Sequence, residues 1–299
     1  MTTIDAEIGK VGVWTGVLDR APYAQGLEIA NEIEALGYGA VWVPEAVGKD
    51  PLVACALLLA GTTKLAAATG IANIYARDPI SMAQGHKTLT EAFPKRFVLG
   101  VGVSHRPMVE GMRGHAYEKP IATMRSYLEG MDAAMYLGAP PSTSPVRVLG
   151  ALRDRMMGLA GELADGAHPY NVPPEHTAHA RQLLGADKLL APEVAVTLER
   201  DATKARELGR AHLAIYLNLP NYTNNLRALG FGDDDFADGG SDRLIDALVA
   251  WGGVDRVAAM VRAHHDAGAD HVCIQVLVPR GSTESPAVGW RELAPALVA

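Results

Sequence analysis

Short apolar runs alternate with helical stretches along almost the whole chain, and this alternation restricts the fold more than any single residue does. The runs are 10–14 (KVGVW), 40–44 (AVWVP), 64–71 (KLAAATGI, continuing to Tyr75), 96–102 (RFVLGVG), 146–151 (VRVLGA), 167–172 (AHPYNV), 194–198 (VAVTL) and 271–277 (HVCIQVL). Each is short and continuously apolar, which is how strands buried on both faces of a parallel sheet read. Between them lie segments with apolar residues at helical spacing, such as Leu27, Ile29, Ile33 and Leu36, which stop at Gly37. Asp50-Pro51 and Asp78-Pro79 open two further helices, each with an aspartate N-cap and a proline in the first turn. Eight such units predict one α/β domain over residues 1–299, a (β/α)8 TIM barrel with insertions after strands 4 and 7 (103–145 and 201–269). A doubly wound open sheet is the alternative, and it rarely needs eight units.

The net charge of −7, with no local lysine or arginine cluster, argues against nucleic acid or an anionic membrane as a partner. No uninterrupted apolar segment reaches the roughly 20 residues of a membrane span, and the opening MTTIDAEIGK is polar and acidic rather than a secretion signal. Cys55 and Cys273 lie in apolar runs without CxxC spacing, so two buried, reduced thiols in a cytoplasmic protein are expected.

A barrel places its chemistry at the C-terminal ends of its strands. The residues there are Trp14, Glu45, Thr69–Asn73, Ser104-His105-Arg106, Ala151–Arg153 and His168–Tyr170. The fourth run is the most informative. Gly100 and Gly102 let another group approach its backbone, and Ser104, His105 and Arg106 follow before Pro107 halts a regular continuation. A dinucleotide fingerprint fails, because position 105 is His where the third glycine belongs. Glu45, His105 and His168 are each alone on a strand end, so no metal site is expected, and no strand-end lysine offers a Schiff base. Small residues dominate, which suits a flat organic ligand held largely by backbone contacts. His176 and His179, at i and i+3 after Pro174-Glu175, read as a solvated first helical turn. His264 and His265 face different sides of a helix, one toward the surface and one at the core edge.

Taken together, GKVGVWTG, EALGYGAVWVPE, ATGIANIYARDP, KRFVLGVGVSH, LADGAHPYNVPPEHTAHAR and GADHVCIQV resemble the bacterial luciferase-like superfamily, and within it the coenzyme F420-dependent oxidoreductases. The resemblance implies a non-prolyl cis peptide at Gly70–Ile71 behind the deazaflavin ring, with Thr69, Ala72 and Asn73 beside it and Trp14 and Tyr170 lining the site. It places Gly102, Val103, Ser104 and His105 against the cofactor, and Ala151, Leu152 and Arg153 at a helix start that offers N–H groups to phosphate. His105 and Glu45 are the implied catalytic residues, although the family's histidine next to the latter is replaced by Ala46. Hydride transfer between F420 and a small organic substrate is the expected reaction, in a homodimer supplied by an F420 or flavin reductase. The alternatives are an FMN-dependent two-component monooxygenase, because both cofactors present a tricyclic ring and a phosphate, and a non-catalytic flavin-binding barrel. Tyr75, Met108 and Tyr222 are further candidates for the substrate wall.

Overall fold

The computed structural model describes residues 4–279 and 285–298. Eleven short strands form one sheet: β1 (Val11–Trp14), β2 (Ala40–Val43), β3 (Ala66–Thr69), β4 (Ala72–Asn73), β5 (Phe97–Gly102), β6 (Val146–Leu149), β7 (Gly166–Ala167), β8 (Leu189–Leu190), β9 (Glu193–Thr197), β10 (Val249–Trp251) and β11 (Val272–Val276). Every pairing is parallel, and the order runs β10-β9-β11-β1-β2-β3-β5-β6-β7-β8, with β4 beside β5. Only Ala191-Pro192 separates β8 from β9. That junction is bonded on both sides: Ala191 N–H donates to Ala167 O, and Pro192 O accepts from Cys273 N–H. The sheet therefore curls, and the chain itself leads from β8 at one end of the path to β9, the strand next to the other end, an arrangement consistent with a (β/α)8 barrel.

Strand alternation divides the core in two. Odd residues of β1 and β2, such as Val11, Val13, Val41 and Val43, pack outward under the helices. The other face turns inward with Ala40, Trp42, Ala66, Ala68, Val98, Val148 and Cys273. The interior residues are mostly small because three large rings occupy the middle. Trp42 stacks on His168 with centroids 4.3 Å apart, and its Nε1–H donates to His271 Nε2 at 3.1 Å. A β-carbon on Gly12 would meet the His271 ring, so glycine there makes room for it. Among the described residues no helix is long and apolar enough to cross a membrane.

The helices Pro51–Gly61 and Pro79–Ala92 start as their sequences predict, with Asp50 and Asp78 side chains each accepting two backbone N–H bonds. Other boundaries differ. The third run breaks after Thr69 and resumes as β4, because the backbone kinks between them. The run at 167–172 contributes only Ala167 to a strand, with Asn171 left-handed (φ 55°). Within the 201–269 excursion, the helix Asp242–Leu248 gives way to a strand, Val249–Trp251, which pairs with β9. Pro107 does not halt the chain: it opens a π-helical turn, Pro107–Met112, where its missing N–H costs nothing. Both histidine pairs are corrected as well. His176 is buried with Nε2 bonded to Leu152 O at 2.6 Å, while His179 is exposed and paired to Asp154. His264 is wholly buried, with Nδ1 2.8 Å from the Thr177 hydroxyl.

Candidate active site

The C-terminal ends of β1, β3, β5, β6, β7 and β11 converge on one mouth. At its floor the Gly70–Ile71 peptide bond is cis. Trp14 Nε1–H donates to Gly70 O at 3.0 Å, and Gly70 N–H to Val43 O at 2.7 Å. The glycines of the fourth and fifth runs now have a reason. A β-carbon on Gly100 would strike the Thr69 carbonyl, and β-carbons on Gly102 and Gly150 would strike the Ile71 side chain. The group that approaches this backbone closely is thus the chain's own β3–β4 kink. Thr69, buried, donates its hydroxyl to Gly100 O at 2.6 Å and fixes the same junction.

Ala72 and Asn73 are buried beside the kink. Asn73 Oδ1 accepts the Tyr75 N–H at 2.9 Å, whereas its Nδ2 donor has no hydrogen-bond partner. Glu45 is engaged with its neighbours. Its Oε2 accepts from Asn73 N–H (2.7 Å) and Arg77 (2.9 Å), its Oε1 from Arg77 (3.0 Å), and Arg113 stands 3.7 Å away. In this arrangement the Glu45 carboxylate, 7% exposed, anchors β4 and aims Asn73.

The opposite wall is aromatic. Ring centroids step from Trp14 to Tyr170 (5.3 Å), Tyr216 (5.3 Å), Tyr222 (4.9 Å) and His105 (5.8 Å). Tyr216 donates its hydroxyl to that of Tyr170 at 3.1 Å, and Tyr170 donates to Gln275 Oε1 at 2.6 Å. Burial pushes the Tyr170 and Tyr222 hydroxyls well above the usual phenol range and that of Tyr216 up to about 12. Burial lowers His105 below the ordinary imidazole range, opposed by a hydrogen bond to the Asn221 side chain.

Val103 and Ser104 are half-buried between β5 and this wall. Ser104 is left-handed (φ 55°) and its carbonyl accepts from Tyr117 at 3.3 Å. Ala151 is buried and Leu152 half-buried, with its carbonyl on His176. Arg153 is exposed at the N-cap of the helix Asp154–Leu163 and makes no side-chain cap bond. Among the described residues no three His, Cys, Asp or Glu side chains group as a metal site. Sequence reasoning missed Gln275, Tyr216, Arg77 and Glu193. A glutamine inside HVCIQVL and a glutamate inside LLAPEVAV are polar interruptions of buried runs, and that signal was present.

A family model described as luciferase-like monooxygenase matches residues 8–271, and the chain belongs to that family. A Mycobacterium tuberculosis protein provisionally classed as a coenzyme F420-dependent oxidoreductase is 26% identical over 190 residues. The alignment covers 54% of this chain and 55% of that protein, so the match spans about half the length of each. Among solved structures, an F420-dependent secondary alcohol dehydrogenase in complex with an F420-acetone adduct superposes with a TM-score of 0.78 at 15% identity. That superposition covers 97% of this chain and 99% of the other. The oxygenating constituent of 3,6-diketocamphane monooxygenase from Pseudomonas putida, in complex with FMN, gives 0.69 at 15% identity, covering 97% and 98%. These superpositions establish the fold. The family model and the fold thus agree on a luciferase-like protein.

Proposed function

We propose that the protein is a coenzyme F420-dependent oxidoreductase acting on a small organic substrate. The observation that carries the reading is the unpartnered, buried Asn73 Nδ2 donor at the floor of a mouth walled by Trp14, Tyr170, Tyr216 and Tyr222. A flat ring bearing carbonyl groups fits that setting: its edge gives Asn73 an acceptor, and its faces meet aromatic and backbone surface. Bound deazaflavin would supply the carbon that gives or accepts hydride. Trp14, Ile71 and Tyr170 would hold the ring and exclude water, and Glu45 and Arg77 would fix the donor that orients it. His105, unprotonated at neutral pH because burial disfavours its cation, accepts a proton at an imidazole nitrogen when a substrate hydroxyl is oxidised and returns it in the reverse direction.

The excursions 103–145 and 201–248 supply the substrate wall through His105, Tyr216 and Tyr222. The F420-classed relative supports the choice of cofactor. The exposed Val53 and Leu57 on the helix Pro51–Gly61 fit a homodimer contact, and the free thiols Cys55 and Cys273 fit a cytoplasmic setting with a reductase as cofactor supplier.

Titration of the purified protein with F420 and with FMN tests the reading. Micromolar or tighter F420 binding, with FMN much weaker, supports it. The reverse preference moves the protein to oxygen-activating flavin chemistry, and binding of neither overturns both.

A further inference from the structure

Among the described residues Glu193 is the only aspartate or glutamate that is wholly buried. Its register partner on β11 is Cys273, an interior residue, so Glu193 points into the barrel one layer beneath Gln275. Its Oε2 accepts the backbone N–H of Asn171 at 3.1 Å, and its Oε1 has no hydrogen-bond partner. The titratable groups that face it are Tyr170 after β7, Tyr216 and Tyr222 from the segment above, and Cys273 on β11. His212 reaches the same turn through Asn171, and His168 lies behind Cys273. Burial pushes the Glu193 carboxyl up to about 8, and the Asn171 N–H pulls it only partway back.

Asn171 sits at φ 55°, a conformation that a side chain other than glycine adopts at a cost unless neighbours hold it. Two contacts hold it here: Glu193 takes the N–H, and His212 Nε2 lies 2.9 Å from Oδ1. Tyr170 is the preceding residue, so this turn decides where its ring stands, 5.3 Å from both Trp14 and Tyr216.

We propose that Glu193 is a positioning residue for the ring site, holding through the Asn171 N–H the left-handed turn that stands Tyr170 in the mouth wall. Protonated, it does this without placing charge beside the three tyrosines. Ionised, it sets a negative charge with an unpaired oxygen in the barrel interior; the Asn171 N–H favours that charge, but burial outweighs the one bond, and the turn opens to let water reach the free oxygen. Tyr170 then leaves the wall. Only the consequence for ligand binding rests on the function proposed above; the turn and its anchor do not.

The test follows the full-length protein by near-ultraviolet circular dichroism, which reads the packing of tyrosine and tryptophan rings, from about pH 6 to about pH 9.5. The wild type is expected to show a transition centred near pH 8. Glu193→Gln keeps a carbonyl acceptor for the Asn171 N–H but cannot ionise, so its profile is expected to be flat. In parallel, affinity for F420 and for FMN is measured at both ends of the range. The molecule that binds is expected to lose about five-fold or more in the wild type and less than about two-fold in Glu193→Gln. A transition in Glu193→Gln equal to that of the wild type overturns the proposal. So does a wild-type signal unchanged across the range, which decides the matter even where the variant does not fold. If neither molecule binds, the F420 reading falls while the dichroism still decides the role of Glu193.

Discussion

The side chain of Ile71 fills the space that a β-carbon on Gly102 would need. Gly102→Ala therefore displaces a flexible side chain, and about 1–3 kcal/mol of stability is expected to be lost in urea unfolding. Ile71→Ala in the same chain is expected to recover part of that loss, because the obstructing atoms are gone. Gly100→Ala meets the Thr69 carbonyl instead. No side-chain change relieves a collision with backbone, so it is expected to cost more and to resist rescue.

Glu45 and Arg77 form a two-point pair of which Glu45 is 7% and Arg77 13% exposed. Removing Arg77 leaves the poorly solvated Glu45 with only the Asn73 N–H and the more distant Arg113, and also frees Asp50. Arg77→Met is expected to cost about 3–5 kcal/mol, and adding Glu45→Gln to return a large share of it. A double-mutant cycle measured by denaturant unfolding gives the coupling; strict additivity would show that the pair does not anchor β4.

Five histidines are buried, and burial lowers each of them, His176 included. Burial lowers His86 and His264 to about 3, and His168 and His271 to about 4. Folded values below the unfolded one near 6.5 mean that the unfolded chain binds more protons. Stability is therefore fully present above about pH 6.5 and is lost as pH falls toward 4, by about 1.4 kcal/mol per pH unit for each group. His271 shows why: Nδ1 lies 2.9 Å from Gly9 O while Nε2 accepts from Trp42, so a second ring proton would face a donor. Thermal unfolding from pH 7 to pH 5 is expected to show a steep fall in Tm, and a level profile would contradict it.

On the proposed F420-dependent function, His105→Gln is expected to leave F420 affinity within about two-fold while lowering turnover by about 10²–10⁴, the usual range for a lost acid–base group. Equal losses in affinity and turnover would assign His105 to cofactor binding alone. The readout is steady-state kinetics with reduced F420 beside an equilibrium titration.

Most strands and the parallel order were legible because continuous apolar runs such as AVWVP and KRFVLGVG report burial on both faces directly. The aspartate–proline helix starts were legible because the cap and the first turn are local chemistry. What sequence reasoning missed depends on partners distant along the chain. His176 is buried by its bond to Leu152, and the kink after Thr69, enclosed by Gly102 and Gly150, was legible only through the family resemblance that implied the cis Gly70–Ile71 peptide. Val249–Trp251 is a strand because β9 offers it an edge, although its residues continue a helical pattern. In the site, strand-end logic found Trp14, Asn73, His105 and Tyr170. Arg77, Tyr216, Gln275 and Glu193 come from a loop, a helical excursion and strand interiors, where position along the sequence says nothing about the mouth.

The seam between β1 and β11 pairs Val11 with Val272, and on the same side Gly9 O lies against His271. The β1 edge is thus covered by one of the last strands to be made. A nascent chain carries a curled but open sheet, with Trp42 and the β1 edge uncovered, until residues near 276 emerge. Truncations that remove β11 should accordingly yield aggregation-prone chains rather than a smaller folded barrel, and an N-terminal portion used alone would be a poor surrogate for the enzyme.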